Sequence, residues 1–239
     1  MLILGIETST QHSSVCLARR DAVIASAGLG LPQRHGEFVA PAIAFCFEQA
    51  GVTAADVTGI AVGTGPGLFT GLRVGLATAR AFASARRLPV VGLSGLDALA
   101  FRQRHARRLI CAAIDARRNE LFWAFYRSAP GGVFRATELR VGSPGKLAGE
   151  IEGAAEECLA VGDGAMRYAD ELRSVGATVA GMEAAWPEAS DLAELAIPRF
   201  IREDTQLPSE LTPIYLRTAD ARIGWEMRGR LRGGQAATA

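Results

Sequence analysis

The sequence predicts an α/β fold of two lobes, each a mixed sheet with flanking helices. Three observations carry this expectation. Short apolar runs of strand length alternate along the chain with longer helical stretches. A strand, polar turn, strand arrangement opens the chain and recurs after residue 108, the outline of an internal duplication. A length of 239 residues allows one large domain or two modest ones, each able to bury its own core. The expected division is residues 1–107 for the first lobe, 108–227 for the second, and 228–239 as a basic, flexible tail.

In order, Leu2 to Ile6 reads as a buried strand that ends at Glu7-Thr8-Ser9-Thr10. Ser13 to Ala18 and Ala22 to Leu29 follow as strands, with Arg19-Arg20-Asp21 as the hairpin turn. Phe38 to Ala50 has helical spacing, with Pro41 near its start or at a kink. Val39, Ala42, Ile43 and Cys46 form one apolar face of that helix, and Phe38, Phe45 and Phe47 another. A helix apolar on two sides is either sandwiched within the fold or shared with a neighbour. Ile60 to Val62 is a short strand, broken by Gly63-Thr64-Gly65-Pro66-Gly67, and Thr70 then caps a helix to Ala83. Leu88 to Leu93 is a strand and Leu96 to Gln103 a short helix. In the second half, Leu109 to Ile114 and Glu120 to Tyr126 are strands around the turn Asp115-Ala116-Arg117-Arg118-Asn119. A helix around Lys146 to Ile151, a strand Cys158 to Val161, and helices near Met166 to Ser174 and Asp191 to Arg202 complete the pattern.

The stretch from Gly59 to Ala85 carries the most information. A glycine turn that feeds a helix N-terminus is an anion site, because free N–H groups and the helix dipole point the same way. Arg73 sits in the first turn, where the dipole disfavours a cation, so an anionic partner is expected for it. Gly71, Gly75, Ala79 and Ala83 recur every four residues and form one ridge of almost no side-chain volume. That ridge serves either packing within the domain or docking of another subunit. The docking reading, with Val39, Ile43, Cys46, Gly71, Gly75 and Ala79 as contact positions, is the one carried forward.

Composition narrows the function classes. Hydrophobic content of 49% with a formal charge of +1 describes a globular chain without a strong field for nucleic acid. The four cysteines lie in apolar surroundings without C-x-x-C spacing, which argues against a disulfide or metal framework and for a reducing cytoplasm. The chain opens directly into a strand, with no leader-like segment and no run long enough to span a membrane. Arg102, Arg104, Arg107 and Arg108 make a basic patch, read as a solvated edge, with phosphate contact as the alternative.

Three turns share an acidic residue or glycine followed by small polar groups: Glu7-Thr8-Ser9, Asp115-Ala116-Arg117-Arg118 and Gly162-Asp163-Gly164. Such turns can hold Mg²⁺ through water and offer hydroxyls and amides to phosphate. Glu7, Thr8, Ser9, Gly65, Gly67, Asp115 and Gly162 are therefore the nucleotide candidates, with ATP or ADP and Mg²⁺ as the ligand. His12, His35 and His105 have no paired-ligand spacing, and neither Ser9 nor Ser94 sits in a G-x-S-x-G elbow, so no catalytic or metal-ligating residue is assigned.

Four segments appear in order: Ile3-Leu4-Gly5-Ile6-Glu7-Thr8-Ser9, Gly65 through Gly75, Asp115-Ala116-Arg117-Arg118-Asn119-Glu120, and Pro213-Ile214-Tyr215-Leu216-Arg217. Together they resemble the TsaB (YeaZ) family of bacterial proteins needed to make N6-threonylcarbamoyladenosine in transfer RNA. The resemblance implies the actin-like (ribonuclease H-like) ATPase fold and a non-catalytic role. In that role the chain would pair with a TsaD-like transferase that acts on adenosine 37, assisted by a TsaE-like ATPase. It also implies that the first lobe's helices form the interface, with a homodimer when the chain is alone and transfer RNA met through the complex. Three features depart from the family pattern. Glu7 stands where Asp is usual, and Leu68 where Ser or Ala is common. His35 stands alone where TsaD carries a metal-binding histidine pair. A small-molecule kinase or ATPase on the same fold is the alternative, and a metal-dependent protease ranks third.

Overall fold

The computed structural model describes residues 1–31 and 34–216. The first apolar runs become strands β1 (Leu2–Glu7), β2 (Ser13–Arg19) and β3 (Val23–Leu29), joined as two antiparallel hairpins. Helix α1 (His35–Ala50) follows, then β4 (Gly59–Gly65) parallel to β1, helix α2 (Phe69–Arg86), and β5 (Val90–Ser94) parallel to β4. Among the described residues these strands form a sheet in the order β3-β2-β1-β4-β5. Helix α3 (Gly95–Arg102) leads to the second sheet.

There the same pattern repeats. Strands β6 (Leu109–Arg117), β7 (Glu120–Ala129) and β8 (Gly132–Arg135) form antiparallel hairpins, and a short β9 (Arg140–Gly142) also pairs with β7. Helix α4 (Pro144–Ala154) precedes β10 (Cys158–Val161), which lies parallel to β6. Helices α5 (Asp163–Arg167) and α6 (Ala169–Ser174) lead to β11 (Thr178–Val179), parallel to β10. The order β11-β10-β6-β7-β8 is the first sheet's connectivity over again, so the α/β duplicated fold is as expected. Gly65 and Gly162 occupy matching strand ends with φ of 95° and 103°, angles closed to residues with a Cβ.

Each sheet is covered on both faces. In the first lobe α1 and α2 bury Val39, Ile43, Cys46, Leu76, Ala79 and Ala83 against Leu4, Ile6, Val15 and Leu17. The opposite face takes helix α7 (Ala189–Ile201), whose Ala189, Leu192, Ala193 and Ala196 meet Ile3, Cys16, Ala61 and Val91. Gly5 permits that approach, since a Cβ there would stand 2.6 Å from the Ala189 carbonyl. Leu211 also joins the first core, and Gln206 exchanges backbone hydrogen bonds with Val90. Residues 189–214 thus return to the first lobe, although the sequence reading had assigned 108–227 to the second. The apolar stripe of α7 decides this, because the far face of the first sheet would otherwise stay wet. Helix α3 lies between the lobes, with Ala98 in the first lobe's core and Leu96 and Leu99 against Ile110 and Ile114.

Several local expectations change. Helix α1 begins at His35 and carries Pro41 inside it, and α2 begins at Phe69 with Leu68 as the N-cap residue, so Thr70 does not cap it. The segment near Met166 to Ser174 is two short helices, because Tyr168 at φ −112° interrupts the run. Strands β8, β9 and β11 were not foreseen. The expectation for residues 228–239 lies outside the described residues.

The largest correction concerns the ridge. Val39, Ile43, Cys46 and Ala79 are each at most 8% exposed, and Gly71 and Gly75 are buried with them. The small residues let α2 press onto the β1–β2 turn: a Cβ at Gly71 would collide with the Thr8 carbonyl, and one at Gly75 with the Thr8 hydroxyl. These six positions therefore pack the lobe's own interior and are not an exposed contact surface. Gly75→Leu is accordingly expected to cost the isolated chain about 3 kcal/mol or more of folding stability. Urea unfolding measures this, and a variant as stable as the parent would restore the external reading.

Candidate functional site

The candidate site is built on the β1–β2 turn. Glu7, Thr8 and Ser9 are 0%, 1% and 0% exposed, which is unusual for a polar turn at a strand end. The Ser9 N–H donates to Glu7 Oε1, and the Ser9 carbonyl accepts from the Leu68 N–H at 2.7 Å. The Thr8 hydroxyl donates to the Gly71 carbonyl at 2.8 Å. Gly67 lies so close to the Ser9 carbonyl that no Cβ would fit, and Gly63 stands equally close to the Glu7 carboxyl. From the other side, the Ala189 N–H at the start of α7 donates to Ser14 Oγ at 2.8 Å. The turn is sealed by α2 on one flank and α7 on the other.

This seal leaves a buried acid. Burial pushes the Glu7 carboxyl up to about 7, against which its hydrogen bonds with Ser9 act. Glu7 Oε2 and Ser9 Oγ are both buried without a hydrogen-bond partner among the described residues. His35 closes the same region: its Nδ1 lies 2.6 Å from Ser13 Oγ, and burial lowers its pKa. The lone histidine at the start of α1 is thus a packing residue between β2 and α2.

The matching turn of the second lobe is built differently. Asp115, 5% exposed, receives Arg117 Nη1 at 3.3 Å and Arg167 Nη1 at 3.0 Å on Oδ2, while Oδ1 accepts the Arg117 N–H at 2.9 Å. The Asp115 N–H in turn donates to Asp163 Oδ1 at 3.0 Å, and burial raises the Asp163 carboxyl to about 6. Arg117, Arg118 and Asn119 all carry positive φ, between 55° and 63°, a strained run for residues with side chains.

The seven nucleotide candidates therefore divide. Glu7, Thr8, Ser9, Gly65 and Gly67 cluster in the sealed turn of the first lobe, and Asp115 and Gly162 belong to the second. The two turns approach through Gly95, where a Cβ would lie 3.0 Å from Ser9 Oγ and 3.6 Å from Ile114 Cδ1. The backbone of residues 67 to 71 lies directly against the β1–β2 turn, with the Leu68 N–H on the Ser9 carbonyl and the Gly71 carbonyl on the Thr8 hydroxyl. The Ser9 amide, which would meet a phosphate, already serves Glu7.

Other expectations resolve on contact. Arg73 rests over the Phe69 ring, 3.7 Å from its centroid, so among the described residues an aromatic face replaces the anionic partner. The arginine patch is largely paired, with Arg102 to Asp191 at 2.7 Å, Arg104 to Glu194 at 3.6 Å and Arg108 to Glu157 at 3.3 Å. His12 and Trp186, stacked at 5.6 Å beside Glu188, were missed, as was the polar cleft of about 410 Å³ lined by His12, Ser14, Ser26, Arg102, Glu188 and Ser190. His12 and Trp186 are 174 residues apart in the sequence, which hid their pairing.

Comparisons with known proteins agree with this geometry. The family model of tRNA N6-adenosine threonylcarbamoyltransferase (TsaD) matches residues 30–225. The chain is 30% identical over 230 residues to the tRNA threonylcarbamoyladenosine biosynthesis protein TsaB of Escherichia coli K12, covering 95% of this chain and 97% of that one. This chain belongs to the TsaB (YeaZ) family. YeaZ from Pseudomonas aeruginosa superposes with a TM-score of 0.79 at 30% identity, over 90% of this chain and 99% of its own. EutJ from Carboxydothermus hydrogenoformans, at 10% identity and a TM-score of 0.51 over 81% of this chain and 90% of its own, shares the fold alone. The two lobes thus form the actin-like fold.

For this TsaB-family chain the buried acid has a measurable consequence. Glu7 is ionised above about 4.5 when unfolded but stays protonated to about 7 when folded, so folding takes up a proton between those values. Stability contributed by the neutral carboxyl is full below pH 4.5, declines as pH rises to 7, and is flat above. At about 1.4 kcal/mol per unit, the loss is roughly 3 kcal/mol. Glu7→Gln keeps an acceptor for the Ser9 N–H and cannot ionise. It should raise stability by an amount of that order at pH 8 and change it little at pH 4. Chemical unfolding at the two pH values checks this, and an equal effect at both would contradict the buried-acid account.

Proposed function

We propose that this chain is a non-catalytic subunit required for N6-threonylcarbamoyladenosine formation at position 37 of transfer RNAs in the cytoplasm. In this reading it binds and activates a TsaD-like transferase, with a TsaE-like protein as the third member. Family membership supports the pathway, since the relatives bear that biosynthesis in their names. The observation that carries the subunit role is the outward side of α1 and α2. Ala40, Ala44, Ala77 and Ala81 are exposed there, with Phe69 at the edge 46% exposed. Glu37, Glu48 and Arg73 are exposed on the same helices, and the small side chains beside them let a second pair of helices approach closely. When the transferase is absent, a second copy of the chain can take the same face.

The sealed β1–β2 turn supports the non-catalytic part of the reading, because the Ser9 amide and the Thr8 hydroxyl are already bonded to Glu7 and to the Gly71 carbonyl. ATP or ADP with Mg²⁺ would then be held by the assembled complex, and transfer RNA would be met through it. A kinase or ATPase acting alone finds no specific support in this geometry. Titration calorimetry of the isolated chain with ATP and Mg²⁺ is expected to give no binding heat; micromolar binding with turnover would sink the reading.

The interface has its own test. Ala44→Arg with Ala77→Arg adds bulk and charge at exposed positions without touching the core. This double variant should keep the parent's circular dichroism and unfolding curve, yet capture the TsaD-like protein at least 10-fold less well in co-purification, an order of effect common for interface lesions. Undiminished capture would remove α1 and α2 from the interface.

A further inference from the structure

The outward side of α1 and α2 keeps its charges in two separate sets. The acidic residues of α1 are Glu37 and Glu48, both exposed, whereas α2 has no acidic residue and carries Arg73, Arg80 and Arg86. At about 100° per residue, Glu37, Ala44 and Glu48 fall within about 40° of one another on α1, and Arg73 and Ala77 do so on α2. Arg80 donates to the Leu211 carbonyl and Arg86 to the Ala55 carbonyl, so Arg73 is the arginine left beside the alanines. Glu48 lies in the last turn of α1 and Arg73 near the start of α2, the ends where each helix dipole disfavours that charge. Among the described residues neither has an ion pair. Arg34 Nε stands 3.8 Å from Glu37 Oε2, but these side chains are 63% and 77% exposed, and such a solvated contact adds little.

The two helices run side by side in one direction. Near their starts, a Cβ on Gly71 would stand 3.2 Å from His35 Nε2, and three turns later Phe47 meets Phe82 with ring centroids 6.2 Å apart. Glu37 and Arg73, each two residues beyond the first contact, therefore stand at the same height on neighbouring helices. Two copies can close face to face about a two-fold axis lying in the plane of this surface, either along the helices or across them. Rotation about an axis leaves every height along that axis unchanged. With the axis along the helices, α1 covers α2 of the second copy, and Glu37 meets the second copy's Arg73, twice by symmetry. With the axis across them, α1 lies antiparallel on α1 of the second copy. A centred overlap then sets Glu37 against the second copy's Glu48, a juxtaposition of like charges that is destabilising.

We propose that the chain pairs with a second copy about the two-fold along the helices, α1 over α2, and that Glu37 and Arg73 fix this orientation. Ala40, Ala44, Ala77 and Ala81 give closeness without direction, since small side chains accept either arrangement. The charges accept one. This pairing uses the same outward side that the proposed function gives to the transferase, and so rests on that reading.

Sedimentation equilibrium of the full chain at low salt tests this. Glu37→Arg and Arg73→Glu are each expected to raise the dimer Kd about 10-fold, with unchanged circular dichroism. The double reversal exchanges the two charges and is expected to return the Kd to within about 3-fold of the parent. Tighter pairing by Glu37→Arg would set the new arginine against Glu48 and overturn the orientation. Single reversals without effect, or a double reversal no better than either single one, would overturn it as well. A parent that stays monomeric to about 1 mM would overturn the self-pairing itself. Capture of the TsaD-like protein by the parent and by Ala44→Arg with Ala77→Arg is read separately. If that double variant loses capture while the orientation fails, the outward side remains the transferase's and the self-pairing alone falls.

Discussion

The approach of α2 to the β1–β2 turn is the constraint on which the first lobe depends. A helix of ordinary side chains stands several ångströms off the backbone it covers. Here Gly67, Gly71 and Gly75 remove that spacing, and the Thr8 hydroxyl and Ser9 carbonyl bond directly to the start of the helix. Once α2 is pinned, the position of α1 follows. His35 is held between Ser13 and Gly71, and Phe47 and Phe82 meet at 6.2 Å where the two helices touch. The outward faces of both helices are thereby aligned side by side.

The same contact changes the chemistry of the turn. An amide that could meet a phosphate is given to Glu7, and Glu7 itself is driven into a dry site where its neutral form is favoured. The second lobe, built on the same strand order, also packs a helix onto its turn, with Gly164 of α5 close against Asp115, but the chemistry differs. Asp115 keeps two arginines as partners, both about half exposed at their side chains. Duplication gave two equivalent turns, and packing made them chemically unlike. The end of α3 and the residues just after it are tied to α7 by Arg102 to Asp191 and Arg104 to Glu194, so two of the four arginines of the patch serve internal attachment.

Much of the first lobe was legible because its strands are short, apolar and punctuated by glycine or charged turns, signals that are local in sequence. The repeated strand-turn-strand outline was legible for the same reason. Strands β8 and β9 were not, since residues such as Gly132 and Arg140 gain their strand character only from pairing with β7. The candidate site was readable as a set of residue types and unreadable as a state. Glu7, Thr8 and Ser9 have the composition of an open phosphate turn, and their burial depends on partners some 60 to 180 residues away, Gly71 and Ala189 among them.

By itself the sequence determined the α/β order, the duplication and the existence of a ridge without side chains, because each follows from spacing along the chain. Only the tertiary structure decided which way that ridge faces. Small residues permit close approach by any backbone, internal or foreign, and spacing alone does not distinguish the two. The choice fell inward because the β1–β2 turn of the same lobe offered its carbonyls and hydroxyl to α2. The alanines left on the far sides of α1 and α2 then became the surface open to a partner.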